Sequence, residues 1–443
     1  MSQDVRIGGG DGEARLEAHA LRAAVLGEVH ARPFTPIETP RRVLHFAFDS
    51  TAERGEADRR HLSEFCAGRD IPSPMPGSRH HRVALGATVL RWEQHSEFTT
   101  YTWELPSEGA ATAFHPPAPA LAHPMGLVPQ PGLLLVAIDL HLMDGRAAGT
   151  ADAADLARLF DPASLTVAET GDGAGLYATD FQADPAGFVR ILVVDRGLGA
   201  ARAGALTQRL LEIETYRTLA LLGLPEAQRL APTVGRIEMR LAEVTNEMQR
   251  TEGFETNHRL LDELTALAAE LEAGAAASLF RFGASRAYDQ IVHLRLQTIG
   301  DRPVAGHTTW SAFLARRMAP ALQTCAAIEQ RQANLSTKLA RAANLLRTRV
   351  DVELQQQNRD LLQSMNRRTQ LQLRLQATVE GLSVAAISYY VVGLFGYIMK
   401  GVHDAGVDFD VSLATAVFVP PAVALIWWIV RRVRRRHVDA GDR

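Results

Sequence analysis

Two apolar stretches near the end of the chain decide the fold: LSVAAISYYVVGLFGYIM (Leu382–Met399) and VSLATAVFVPPAVALIWWIV (Val411–Val430). Each has about 18 to 20 residues, enough at about 1.5 Å per residue to cross a hydrocarbon core of about 30 Å. The sequence therefore predicts two transmembrane helices, at residues 379–400 and 411–430. Buried core helices are the alternative, but an adjacent tryptophan pair, Trp427–Trp428, fits an aromatic belt.

Basic residues around these spans predict their orientation, because Lys and Arg in short flanks stay in the cytoplasm. Arg367, Arg368 and Arg374 precede the first span, whereas the acidic external loop, 401–410, is poor in basic residues. We therefore expect a membrane protein with both termini cytoplasmic. The basic tail, 431–443, should contact anionic lipid headgroups. Its clustered arginines are Arg431, Arg432, Arg434, Arg435 and Arg436.

The whole 443-residue chain carries a net charge of −3 and has a mean hydropathy of −0.06, values typical of a soluble protein in spite of the two apolar stretches. This predicts a folded cytoplasmic body. Residues 1–14 look like a flexible, Gly-rich leader without signal-peptide character. Cys66 and Cys325 form no CxxC or metal-ligand spacing, so we expect reduced thiols and no disulfide.

Residues 15–198 predict an α+β domain built mostly on antiparallel hairpins, because successive strands lie too close for helical crossovers. Short β-branched and aromatic runs between turn formers predict its strands. The predicted strands are Val43–Phe48, Val83–Glu93, Phe98–Leu105, Leu133–Leu140, Leu165–Glu169, Leu176–Phe181 and Phe188–Val194. The predicted helices are Arg15–Leu26, Glu53–Ala67 and Asp152–Phe160.

Residues 199–320 change to apolar spacings of three and four, which predict a bundle of amphipathic helices. The predicted helices are Leu206–Leu222, Ala227–Gln249, Asn257–Leu279 and Arg286–Gln297.

A long stalk helix is predicted at 321–378, since no Pro or Gly occurs between Pro320 and Gly381. Continued through Met399, such a helix would be about 118 Å long. Its narrow apolar seam predicts packing on copies of itself and hence a homo-oligomer. An intramolecular hairpin with the preceding helices is the alternative. The seam consists of Leu335, Leu339, Ala342, Leu346, Val350, Leu354, Leu361 and Met365.

The first span carries a more polar stripe, which would line a central pore if copies cluster, because polar groups in membranes face a bundle interior. Simple packing of small residues is the alternative. The candidate pore-lining residues are Glu380, Ser383, Ala386, Tyr390, Gly393 and Tyr397. The candidate pore-mouth residues are Gly396, His403, Asp404, Asp408 and Asp410. The carboxylates of the three aspartates would concentrate cations.

In the body, Glu93, His95 and Glu97 alternate, and on one strand face they could hold a divalent cation. An exposed polar face is the alternative. The chain contains no nucleotide-binding or hydrolase motif in a suitable context. Its basic residues are dispersed apart from the tail. We therefore predict neither an enzyme nor a nucleic-acid partner.

Several segments resemble a bacterial family of membrane-anchored proteins of unknown function, a likeness that covers nearly the whole chain. These segments are GEVHARPF (27–34), RWEQHSEFTTYTWE (91–104), LLEIETYRTLALLGLP (210–225), LLRTRVDVELQQQNRDLLQSMNRR (345–368) and LQLRLQATVEGLSVAAISYY (371–390). This resemblance implies no activity.

The order of segments is also similar to CorA-type divalent cation channels, which join a cytoplasmic α/β domain to a stalk helix, a pore-lining span, an outer loop and a second span. In place of that family's Gly-Met-Asn signature the chain has Gly396, Tyr397 and Ile398. The resemblance implies a CorA-like fold, a homopentamer and a divalent cation such as Mg²⁺; no cofactor is firmly implied. We expect a cation channel or, alternatively, a non-conducting scaffold for a protein or lipid partner.

Overall fold

The structure is a computed structural model that describes residues 4–7, 14–22, 25–26, 34–50, 52–107, 113–115, 117, 124–145, 153–406 and 410–438. An N-terminal mixed β-sheet with helices is followed by a very long helix and a C-terminal apolar helix, which confirms the predicted fold class. The chain divides into two compact units. The first is Met1–Val244 with Leu264–Ala340, and the second is Thr245–Glu263 with Arg341–Arg443.

A nine-stranded sheet forms the centre of the first unit. Its strands are β3 (Arg41–Asp49), β4 (His80–Leu85), β5 (Thr88–Gln94), β6 (Phe98–Pro106), β7 (Leu134–Asp144), β8 (Thr166–Glu169), β9 (Gly175–Thr179), β10 (Val189–Asp195) and β11 (Arg302–Pro303). Their order across the sheet is β11-β8-β9-β10-β7-β3-β6-β5-β4. Neighbouring strands pair antiparallel except for β7 and β10, which are parallel. The mainly antiparallel prediction is therefore confirmed.

One predicted strand, Val83–Glu93, is wrong: β4 and β5 are two antiparallel strands joined at a tight turn. Gly86 in that turn has a φ of 64°, a left-handed conformation that glycine adopts without a Cβ clash. The other predicted strands are present, with ends shifted by a few residues.

The N-terminal prediction also needs correction. Strand β1 (Asp4–Ile7) pairs antiparallel with β2 (Ala14–Glu17). The expected leader therefore contains a strand, and the helix expected from Arg15 begins as a strand. The backbone N–H and C=O groups of each short strand find hydrogen-bond partners on the other strand. The periodicity that predicted a helix gives no sign of such a pairing.

Apolar side chains cover both faces of the sheet. Helix α1 (Ala52–Ala67) packs Leu62 and Phe65 on the face that carries Trp92 and Trp103. Buried Asp58 of α1 accepts hydrogen bonds of 2.6 Å from the Trp92 indole and from a tyrosine hydroxyl on β6. A short helix, α2 (Ala153–Leu159), precedes β8. Both helices confirm predictions.

The opposite face packs against the helical part of the unit. Helix α3 (Ala200–Leu221) buries Leu206 and Leu210 there. Helices α4 (Gly223–Arg250) and α5 (Phe254–Ile299) follow. The two helices predicted at 257–279 and 286–297 are one continuous helix. A glycine at position 283 weakens a helix by only about 1 kcal/mol, which tertiary packing outweighs.

The stalk begins earlier than predicted, since helix α6 runs without a break over Trp310–Asp404. Pro320 lies inside it and removes one backbone donor. Buried Trp310, Leu314 and Met318 join the apolar core under the sheet, and this packing holds the first turns in place. The helix therefore begins eleven residues before the predicted start at Ala321 and passes residue 378 without a break, as predicted. The last helix, α7 (Val411–Val438), includes the second predicted span and continues into the basic tail.

The predicted stalk seam divides into a buried and an exposed part. In the second unit Ala342 and Leu346 are buried, and Arg349 Nη1 donates to the Met248 carbonyl over 2.7 Å. Further along, every residue from 354 to 379 is exposed. The intramolecular alternative thus accounts for the start of the seam, while the self-packing prediction still applies to the remainder.

Candidate functional site

The two apolar helices are almost uncovered by the rest of the chain. Among the described residues, only 6% of the apolar window of α6 and 11% of that of α7 are buried. A core helix of a soluble protein would be mostly buried. Both helices are long and apolar enough to cross a membrane, judged by length and composition.

The helices pair through a narrow strip of complementary side chains. The rings of Phe395 and Phe418 stack with centroids 3.8 Å apart. Gly396 lies close to Thr415. A Cβ built on the glycine would lie 3.8 Å from the threonine Oγ1, an ordinary van der Waals distance. Ser388 is also buried in the second unit, with 6% of its surface exposed. This strip marks the side of α6 that faces α7.

Most of the predicted pore-lining residues lie outside this strip, on an exposed side of α6. At about 100° per residue, Tyr390 and Tyr397 are turned by about 180 to 200° from Ser388. Their side chains are 75% and 79% exposed. Five of the six candidates share this exposed side, which we call the tyrosine face: Ser383, Ala386, Tyr390, Gly393 and Tyr397. The sixth, Glu380, is half-buried and lies about 100° from the centre of that face.

A groove of about 790 Å³ runs beside the tyrosine face, between α6 and α7. Gly393 and Tyr397 line it on one side and Val419 on the other. Ser388 lies at its base, and its hydroxyl has no hydrogen-bond partner within the described chain. The groove therefore offers small residues and an unsatisfied hydroxyl to whatever packs there.

The predicted pore-mouth residues have several different environments. Asp410 caps α7, because its Oδ1 accepts hydrogen bonds from the backbone N–H groups of Ser412 (2.8 Å) and Leu413 (3.2 Å). His403 and Asp404 are exposed at the end of α6. Asp408 lies outside the described residues. Gly396 lies at the contact between α6 and α7, and its assignment to the mouth stays a prediction.

The basic end of α7 is arranged as expected for a membrane interface. The Arg431 guanidinium lies 4.9 Å from the ring centroid of Trp427, and that of Arg432 lies 4.9 Å from Trp428. Such pairs place a cation beside an aromatic ring that prefers the interface. The side chains of the other predicted headgroup contacts, Arg434, Arg435 and Arg436, lie outside the described residues.

The metal prediction for Glu93, His95 and Glu97 assumed that the three residues share one strand. Strand β5 ends at Gln94, so only Glu93 lies in it, and His95 and Glu97 belong to the turn before β6. The His95 ring stacks on Phe98 with centroids 4.0 Å apart, and Glu97 is paired with a guanidinium of α5. Over the described ranges, no three His, Cys, Asp or Glu side chains come together as a metal-binding group.

Sequence reasoning missed a polar row beneath α3. Strand register aligns His45 of β3, Thr102 of β6 and Arg91 of β5 on one face of the sheet. All of β6 from Phe98 to Glu104 is buried, yet alternate residues are polar. That alternation within a strand buried on both faces was the available signal, because buried polar groups need partners or a function.

The fold and these helices define an α+β protein with two helices capable of crossing a membrane. The chain belongs to the family described as "Protein of unknown function (DUF3422)", which matches residues 17–437. Comparisons with curated proteins and with solved structures found no match. The resemblance to CorA-type channels therefore rests on the order of segments alone.

Proposed function

We propose that this protein is a homo-oligomer of the bacterial inner membrane, anchored by the end of α6 and by α7, that forms a passive pathway for cations. Both termini are cytoplasmic in this proposal. The observation that carries it is the exposure of the tyrosine face, which the contact between α6 and α7 leaves uncovered.

The tyrosine face favours protein contacts over lipid contacts. Phenolic hydroxyls such as those of Tyr390 and Tyr397 are costly in a hydrocarbon core unless they find hydrogen-bond partners. Gly393 lies between them and would allow a neighbouring backbone to approach closely. One face thus combines polar groups with a small residue, the combination that drives helix association in membranes.

Several copies are required for a pathway, because two helices per chain do not enclose a water-filled channel. The exposed part of the stalk offers a second contact between copies. Leu354, Leu361 and Met365 are 45%, 59% and 57% exposed and repeat at steps of seven and four, as in a coiled coil. Burial of this seam between copies would hold the tyrosine faces around one axis.

Charge placement supports cations as the transported species. Exposed Asp404 and the carboxylate of Asp410 lie between the two spans, and repeated around a ring they would raise the local cation concentration. A divalent ion such as Mg²⁺ is the species that the CorA-like order of segments implies.

A non-conducting scaffold is the second candidate. In the segment that would correspond to the outer mouth, Gly396, Tyr397 and Ile398 replace the ion-contacting signature. Bulky tyrosine rings directed toward an axis would close it. In that case the spans only anchor an oligomeric body that binds a protein or lipid partner.

The test combines mass measurement in detergent with cation flux into liposomes. We expect an oligomer that passes cations. Gly393→Leu should disrupt assembly and abolish flux, since its added side chain occupies the tyrosine face. Ile387→Phe, which adds bulk on another side of α6, should change neither. A monomeric wild-type protein would overturn the assembly, whereas an oligomer without flux would favour the scaffold.

A further inference from the structure

We propose that a cleft in the α+β unit binds a small zwitterionic molecule of the α-amino-acid class. The cleft has a volume of about 210 Å³ and lies between the polar face of the sheet and α3, with α5 at one side. Its volume corresponds to roughly seven waters at about 30 Å³ each. A molecule of about amino-acid size is therefore the appropriate ligand.

Polar side chains line this cleft as a continuous series. Arg91 Nε lies 3.8 Å from Glu93 Oε1, and Arg91 Nη1 donates to Gln208 Oε1 over a long 3.4 Å. Gln208 Nε2 in turn donates to Glu212 Oε1 (3.0 Å), and Arg295 Nε donates to Glu212 Oε2 (2.5 Å). Two guanidinium groups and two carboxylates thus face the same small volume.

The charge balance selects a zwitterion. A dianion would be repelled by the two carboxylates, and a simple cation by the two guanidinium groups. Of the two lining histidines, His45 adds no charge at neutral pH, since burial and, to a lesser extent, Arg91 lower the pKa of His45 to about 3. A ligand that carries one positive and one negative group complements the cleft.

Two lining groups have hydrogen-bonding capacity to spare. Within the described residues, neither Arg91 Nε nor Thr100 Oγ1 has a hydrogen-bond partner. Thr100 is only 2% exposed, so water replaces its missing partner poorly. Thr100 is the neighbour of Glu93 in the pairing of β5 with β6. A ligand carboxylate on Arg91 and Thr100, with its ammonium on Glu93, would satisfy both donors.

An aromatic wall completes the cleft. Phe98 lies between the stacked His95 ring and the edge of Tyr216, whose centroid is 6.0 Å away. Phe34 lines another side. Such walls bind an apolar or aromatic side chain, as in most small-molecule sites. The structure therefore favours an α-amino acid with a hydrophobic side chain.

The test measures thermal stabilisation and calorimetric binding of the full-length protein in detergent with the free L-amino acids, L-phenylalanine among them. We expect stabilisation by a hydrophobic member such as L-phenylalanine. L-Phenylalaninamide, which lacks the carboxylate, and N-acetyl-L-phenylalanine, which lacks the ammonium, should bind at least about tenfold more weakly.

Variants locate the site. Arg91→Gln and Glu93→Gln should each weaken binding at least about tenfold, whereas Arg60→Gln, at an exposed position of α1 beyond the other face of the sheet, should not. Thr100→Val should weaken binding while leaving the unliganded protein at least as stable, because it removes an unsatisfied hydroxyl. No stabilisation by any amino acid, equal binding of the N-acetyl compound, or wild-type affinity in Arg91→Gln would overturn the proposal.

Discussion

Phe395 of α6 stacks on Phe418 of α7 with ring planes inclined by only 15°. This contact joins the two apolar helices within one chain and leaves the tyrosine face uncovered. Because the stacked rings are not part of the tyrosine face, a change at Phe395 should leave that face intact.

Substitution of the stacked rings should weaken the helix pair. We expect Phe395→Ala and Phe418→Ala to lower the free energy of unfolding in mixed detergent, with a coupling energy of about 0.5–1.5 kcal/mol in a double-mutant cycle. Leu413→Ala, at a 66% exposed position of α7, is the control and should have little effect. Strictly additive losses would contradict direct stacking.

Asp410 provides a means to separate helix capping from pore-mouth charge. Asn is as good an N-cap as Asp, so Asp410→Asn should preserve α7 while removing a negative charge. Asp410→Ala should cost about 1 kcal/mol of stability. If the loop concentrates cations, both variants reduce flux in liposomes and only the alanine variant lowers thermal stability. Unchanged flux in Asp410→Asn would remove this residue from the pathway.

A buried ion pair links the two central strands of the sheet. Arg42 Nε and Nη2 donate to the two carboxylate oxygens of Asp139 over 2.8 and 2.6 Å, and both residues are nearly inaccessible. Asp139→Asn should destabilise the protein by about 3–5 kcal/mol, because the buried Arg42 guanidinium loses its anionic partner. Replacing both residues with Arg42→Met and Asp139→Leu should recover much of this loss. Urea unfolding followed by tryptophan fluorescence measures both, and an Asp139→Asn variant of wild-type stability would contradict the expectation.

Two buried histidines should make the fold sensitive to acid. Burial first, and nearby positive groups second, lower the pKa values of His45 and His141 to about 3. An unfolded histidine titrates near 6.5, so between about pH 6.5 and 3 only the unfolded chain takes up these protons. Stability should therefore fall with decreasing pH in that window, by up to about 1.4 kcal/mol per pH unit for each histidine.

The pH dependence is measured from urea unfolding at a series of pH values. His45→Gln and His141→Gln should each flatten the curve over that window, whatever their effect at neutral pH. Exposed His80→Gln is the matched control and should retain the wild-type slope. Identical slopes in all variants would show that other groups cause the acid sensitivity.

The geometry also determines which His45 nitrogen carries the proton. Thr215 Oγ1 donates its proton to the Leu211 carbonyl over 2.8 Å, so it can only accept from His45 Nε2 at 3.1 Å. His45 Nδ1 then accepts from the Thr102 hydroxyl at 2.8 Å. The histidine thereby connects β3, β6 and α3 while remaining neutral, and it borders the cleft without adding charge to it.

Much of the fold could be predicted from local patterns. Helix α1, six of the strands and both apolar helices follow from hydropathy, periodicity and turn residues within a short window. Gly86 lies in the turn that divides Val83–Glu93 into two strands, and a single glycine is a weak turn signal in a sequence. The pairing of β1 with β2 could not be foreseen either, since four-residue strands carry almost no periodicity.

The candidate sites could likewise be predicted only in part from local patterns. Periodicity alone grouped Ser383, Tyr390 and Tyr397 on one face, because positions three and four apart on a helix are neighbours. It could not show that the contact with α7 leaves this face exposed. The cleft was beyond prediction, since Arg91, Glu212 and Arg295 lie on three elements distant in sequence.

The amino-acid sequence by itself determined that the chain ends in two helices apolar enough for a membrane, because length and hydropathy are properties of a continuous segment. Only the tertiary structure decided which side of α6 remains open, where the stalk seam becomes exposed and which charges surround the cleft. Strand register and helix pairing bring remote residues together, and those contacts are set by packing of the whole unit rather than by any local pattern.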